Sequence, residues 1–211
     1  VVAARSDPAL LALHGVRVLG GPSALAVAER YSLPVGEVRE HLLDAQAFGW
    51  VNRHDYYGET WSLTDRGRVE NERQLAAELE ATGCRDTVRR VHAEFLPLNR
   101  RHGQASTDWQ LRPTRWDRAA ANDHTDPVWD DAVLAELEAV DEAAQQLCGV
   151  LADVLSRFDG HARRHREALQ RVRRGQPEWL DAPDRPSCQL VWMQLHEDLL
   201  ATLGLPRGSD N

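Results

Sequence analysis

The stretch from Val35 to Thr64 (VGEVREHLLDAQAFGWVNRHDYYGETWSLT) constrains this chain more than any other. Val35, Val38, Leu42, Leu43 and Ala45 recur at helical spacing and predict one buried stripe. Gly49 suits a left-handed cap at the end of that helix. The aromatic and β-branched residues that follow suit a strand. Residues 54–59 (HDYYGE) form the expected hairpin tip. Thr60-Trp61-Ser62-Leu63 is the return strand, with Trp61 and Leu63 on one face by two-residue alternation. Thr64 then N-caps a further helix. A helix, a tight hairpin and a second helix within so short a span leave few folds open.

The preceding residues narrow the choice. Residues 22–31 (PSALAVAERY) read as a short apolar helix with Pro22 in its first turn, and Ser32-Leu33-Pro34 as a turn. Three groups of residues carry a likeness. They are Leu25, Ala28 and Leu33 around the turn; Val38, Leu42 and Phe48-Gly49-Trp50-Val51; and Trp61-Ser62-Leu63-Thr64-Asp65-Arg66-Gly67. On these residues, the segment 8–75 resembles the winged helix-turn-helix transcriptional regulators of the MarR type. The last group is the most specific, with Leu-Thr after an apolar residue and Gly three places beyond the Thr. The resemblance implies double-stranded DNA as partner, with the second helix in the major groove. Arg39 and His41 on that helix, and Arg53 and His54 on the hairpin, are then the expected DNA contacts. It also implies a homodimer, because such operators mirror a two-fold axis.

Further along, helical periodicity continues. A first helix is expected over Pro8–His14, stopped by Gly15. Another runs from Thr64 to Thr82 (apolar Val69, Leu75, Ala76, Leu79) and ends at Gly83. A helix over 84–103 is kinked or ended by Pro97. Residues 104–125 read as irregular. Asp126-Pro127 opens a long helix from Val128 to Phe158, Asp159 caps one that runs to Arg174, and Ser187–Leu203 is the last. The expected fold is therefore mainly α: an N-terminal winged helix over 1–82, including a linker helix, and an all-helical bundle over 83–211 for dimerisation and effector binding.

Charge complicates the DNA reading. The net charge is −8, and residues 1–74 hold eight arginines against ten acids. The exposed N-terminal residues of the second helix are Gly36, Glu37, Arg39, Glu40 and His41, and its two carboxylates repel phosphate. In the helical part, residues 123–142 carry eight acids and no arginine, while residues 157–174 carry seven arginines. These two runs are expected to be solvated or to pair with one another. Every basic residue is Arg and none is Lys, as in high-GC bacterial coding. No apolar run approaches a membrane span, and no signal sequence opens the chain, so a cytoplasmic protein is expected. Cys84, Cys148 and Cys188 form no CxxC pair and read as free thiols.

Five of the seven tryptophans lie in the helical part, several beside polar groups. Trp109, Arg112, His124, Asp126, Trp129, Trp192 and His196 are the candidates for a small-molecule effector pocket. The competing reading makes these tryptophans core and Asp126 only a helix cap. A metal set can be assembled from His124, Asp126, His196 and Glu197, but the neighbours His196 and Glu197 point to different helix faces, so no metal is expected. His161 and His165, ringed by Arg163, Arg164 and Arg166, read as a solvated surface pair. No catalytic motif, phosphate loop or dinucleotide fingerprint occurs, and no cofactor is expected. The leading expectation is a small-molecule-responsive DNA-binding regulator. The alternatives are an enzyme or enzyme accessory with a Trp/His/Asp site, and a protein-interaction adaptor.

Overall fold

The computed structural model describes residues 3–56, 58–206 and 208; Tyr57, expected at the hairpin tip, lies outside them. Among the described residues the chain is mainly helical, with eight α-helices and one two-stranded sheet. The order is α1 (Pro8–Leu19), α2 (Ala24–Tyr31), α3 (Val35–Ala47), β1 (Val51–His54), β2 (Thr60–Leu63), α4 (Asp65–Thr82), α5 (Arg85–Gln110), α6 (Pro127–Val154), α7 (His161–Arg173) and α8 (Cys188–Leu203). Single 3-10 turns lie at Ser156–Phe158 and Pro177–Trp179. No single helix among the described residues is long and apolar enough to cross a membrane. The chain divides into two compact units. One comprises Val1–Arg89, Leu151–Asp159 and Gln194–Asn211, the other Arg90–Val150 and Gly160–Met193. The first thus extends past the expected boundary after residue 82 and takes in two later segments.

In the first unit, Leu13, Val16, Val27, Val38, Leu42 and Trp61 form one buried cluster. Trp61 is fully buried and fixes the hairpin to it. β1 and β2 pair antiparallel, with Val51 opposite Leu63 and Arg53 opposite Trp61. Thr64 caps α4 as expected, its hydroxyl oxygen accepting from Gly67 N at 3.0 Å. Gly67 itself is obligatory, since a Cβ there would stand 1.9 Å from the Trp50 carbonyl oxygen.

Several boundaries differ from the sequence expectation, each for a local reason. Gly15 does not stop α1, which continues to Leu19 and ends at Gly20 in the left-handed region. A Cβ on Gly15 would meet Val27 Cγ1 at 2.6 Å, so this glycine permits close packing of α1 on α2. α2 starts at Ala24 with Ser23 as cap, and the Pro22 carbonyl instead accepts from Trp61 N at 2.9 Å. The predicted stripe of α3 is narrower: Val38, Leu42 and Ala45 are buried, but Val35 and Leu43 are exposed. Val69 of α4 is exposed as well.

In the second unit, Trp109, Leu134, Leu137, Leu169 and Leu180 share a buried cluster. α5 is not ended by Pro97; it runs on to Gln110 and takes over the first part of the region expected to be irregular. The rest, 111–126, is a folded loop. Its ends pair through Arg112 N to Ala120 O (2.9 Å) and Asn122 N to Gln110 O (2.8 Å). α6 stops at Val154, short of Phe158, and Gly160 rather than Asp159 occupies the N-cap of α7. Among the described residues beyond residue 83 there are four α-helices and two short 3-10 turns. His161 and His165 are not a solvated pair: both are buried, because their face of α7 packs inward while the arginines around them occupy the other faces.

Candidate functional site

Two surfaces and two buried polar clusters hold the residues of interest. The first surface is formed by α3 and the hairpin. Arg39 projects from α3 and donates through Nη2 to Glu59 Oε2 at 3.1 Å. Arg53 on β1 donates to Asp55 Oδ1 at 3.1 Å and has its Nε 3.6 Å from Glu59 Oε1. One carboxylate therefore holds both arginines. His54 Nε2 lies 2.8 Å from Ser62 Oγ, and His41 Nε2 lies 3.9 Å from Glu37 Oε1. Around these cations stand exposed Glu40, Asp44, Val35, Leu43 and Phe48. Phe48 stacks on Trp50 with ring centroids 4.7 Å apart.

The loop 111–126, with Arg112, His124 and Asp126, and the helix ends that flank it, with Trp109 on α5 and Trp129 on α6, bring together five of the seven expected effector residues. Asp126 caps α6 by accepting from Val128 N (3.1 Å) and Trp129 N (3.3 Å), and its other oxygen accepts from Arg112 Nη1 at 2.8 Å. The Trp129 N–H bond and Arg112 hold the Asp126 carboxyl below its usual pKa against a smaller desolvation effect. His124, in the left-handed region at φ 56°, places Nδ1 3.0 Å from Asp130 Oδ2 and its ring 4.5 Å from that of Trp109. Trp129 donates from Nε1 to the Asp108 carbonyl at 2.7 Å. Trp109 belongs to the core cluster. The polar groups of this set thus engage one another and the backbone, and they hold the loop on α5 and α6.

Trp192 and His196 fall elsewhere. His196 belongs to the first unit. Trp192 is buried in the second unit and stacks on His102 (centroids 4.3 Å apart, planes 8° from parallel), with its Nε1 donating to Asn99 Oδ1 at 2.9 Å. It stands against a polar chain that sequence reasoning missed. Asp141 Oδ1 accepts from His165 Nδ1 at 2.8 Å, and His165 Nε2 lies 3.3 Å from His102 Nε2. His102 Nδ1 lies 3.4 Å from Ser106 Oγ, which donates to Gln189 Oε1 at 2.9 Å. Burial, then the charge of His165 beside it, pushes the His102 pKa well below its ordinary value. At Asp141 burial raises the pKa, but His165, Arg166 and Gln145 outweigh it and leave the carboxyl below its usual range. The only sequence signal for this chain was the four-residue spacing of His161 and His165, masked by the surrounding arginines.

The first unit holds a second buried network. Arg157, fully buried, donates to Asp198 Oδ1, to Glu78 Oε2 (3.0 Å) and to Thr202 Oγ1 (2.7 Å). His14 bridges Asn71 Oδ1 (3.2 Å) and Asp198 Oδ1 (3.0 Å). Burial works against the Arg157 charge, and the two carboxylates outweigh it. Glu197, one of the residues considered for a metal, pairs instead with Arg17 at 2.7 Å. Among the described residues no three His, Cys, Asp or Glu side chains converge on a point that could hold an ion. The three cysteines are free and buried, and burial raises the Cys188 thiol to about 12, so it stays protonated.

The acidic and basic runs do pair, between α6 and α7. Arg173 donates to Glu138 at 2.7 Å and to Asp131 at 2.8 Å, and Arg166 to Asp141 at 2.9 Å. A groove of about 560 Å³ lies beside these pairs, with Leu169 and Gln170 also in its lining. Comparison with known protein families, characterised proteins and solved structures finds no match to this chain.

Proposed function

We propose that the first unit is a winged helix that binds double-stranded DNA, and that the second is a helical bundle that senses a small molecule. The chain then acts as a homodimeric, ligand-responsive transcriptional regulator. The observation that carries this reading is the meeting of Arg39 and Arg53 at Glu59, which makes the outer face of α3 and the hairpin one continuous surface. With α3 in a major groove, Arg39 reaches a base edge, and Arg53 and His54 face phosphate or the minor groove. His41 adds a contact on the same helix. The test is binding to DNA from the gene's own neighbourhood across a salt series, with Arg39→Ala and Arg53→Ala beside the unaltered protein. Affinity that falls steeply with salt and drops in both variants is expected. Absence of binding at low salt overturns the reading.

A second reading has its own observation. Val35, Leu43 and Phe48 are exposed on or next to α3 among Glu40 and Asp44. Apolar side chains rimmed by carboxylates favour a protein partner over a polyanion. Loss of partner capture in Leu43→Glu, with no DNA binding, would favour the adaptor.

A further inference from the structure

We infer that the groove between α6 and α7 is a binding site for a small zwitterion with an apolar side chain, such as an α-amino acid or a dipeptide. Its role as an effector site rests on the regulator reading; its occupancy does not. The groove encloses about 560 Å³, within the range of small-molecule sites. Three arginines and three carboxylates line it, so its net charge is zero and it selects neither a simple anion nor a simple cation.

Most of that charge is already paired. Arg166 is held by Asp141, and Arg173 by Glu138. Among the described residues, Arg174 and Glu142 have no ion-pair partner, and both line the groove. One free guanidinium and one free carboxylate in a groove of zero net charge complement a carboxylate and an ammonium on one molecule. Gln170 adds an amide, and Leu169 is the one aliphatic residue in the lining. Asp141 forms part of the wall and also accepts from His165, which contacts His102. A ligand that displaced or strengthened the Arg166–Asp141 pair would therefore act directly on the chain that abuts Trp192.

Calorimetric titration of the whole 211-residue chain, without DNA, with L-leucine and L-leucyl-L-leucine tests the site. N-acetyl-leucyl-leucine lacks the ammonium, and leucyl-leucine amide lacks the carboxylate. Saturable binding of at least one of the two zwitterions is expected, weakened about tenfold or more in each blocked analogue of the dipeptide, as for loss of one charge-assisted contact. Arg174→Gln and Glu142→Gln, both at exposed positions, should each weaken the zwitterion by a similar factor while far-ultraviolet circular dichroism is unchanged. No binding of either zwitterion at millimolar concentration overturns the inference. So does equal binding by the unaltered protein and both variants. Binding that stands while DNA binding fails would refute the regulator reading and leave the site intact.

Discussion

Single residues explain much of how the first unit is held. In an ordinary helix, replacing Gly by Ala gains roughly 0.5–1 kcal/mol of stability. At Gly67 the sign reverses, because the added carbon would lie 1.9 Å from the Trp50 carbonyl oxygen. Gly67→Ala should destabilise the protein by ~1–3 kcal/mol or more, as overpacking does. Urea denaturation measures this, and a variant as stable as the parent would refute the close approach. Arg157 makes a stronger case. It is fully buried between Asp198 and Glu78, and its removal takes the guanidinium away from two sheltered carboxylates, with the His14 ring still beside Asp198. Arg157→Ala should cost about 3–5 kcal/mol, the usual loss when one partner of a buried pair is removed. The double variant Arg157→Met with Asp198→Asn should recover part of that loss. A double variant no better than Arg157→Ala would argue against uncompensated charge as the cause.

At the scale of elements, legibility followed local chemistry. The helix–hairpin–helix run from Val35 to Thr82 was readable because each junction carries its own chemical marker: Gly49 with φ of 74°, Trp61 buried, Thr64 bonded to Gly67. Gly15 and Pro97 misled for the opposite reason. Both are helix breakers by propensity, yet Gly15 is selected by the approach of Val27 and Pro97 is accommodated within a long helix. Tertiary packing decides such positions, and it leaves no local trace. The expected effector residues were read from composition, Trp beside Arg and His. Composition does not say that Asp126 and Arg112 satisfy each other, or that Trp192 belongs with His102. The α3–hairpin surface carries its own prediction. Glu59 neutralises Arg39 and Arg53 together, with Glu59 largely sheltered at 17% exposure. If this surface meets DNA, Glu59→Gln removes the counter-charge of Arg39 and leaves Arg53 paired with Asp55 alone. It should tighten DNA binding and steepen its salt dependence by about one phosphate contact. Fluorescence anisotropy at several salt concentrations measures both effects, and weaker binding in Glu59→Gln would place the arginines away from the DNA.

The buried chain in the second unit should govern how the stability of the whole molecule responds to mild acid. Four elements converge on His102, itself on α5. His165 comes from α7 and Asp141 from α6, Gln189 and Trp192 lie on α8, and Ser106 sits one turn along α5. Burial holds His102 neutral in the fold, with a pKa well below its ordinary 6.5. The unfolded chain takes up a proton at 6.5, and the folded one does not. Stability from this group is therefore complete above pH 6.5 and declines as pH falls towards the lower folded value. One proton gives a slope of at most about 1.4 kcal/mol per pH unit. Asp141 works in a separate window. Its carboxyl lies below the ordinary 3.8, so its contribution is present above that value and is lost only in stronger acid. Between pH 7.5 and 5 the histidine should dominate, and unfolding followed by tryptophan fluorescence should report it through Trp192. His102→Phe keeps an aromatic ring against Trp192 and removes the titration. It should shift the overall stability but flatten the pH slope in that interval. An unchanged slope would assign the acid sensitivity to another group and leave His102 as a packing residue alone.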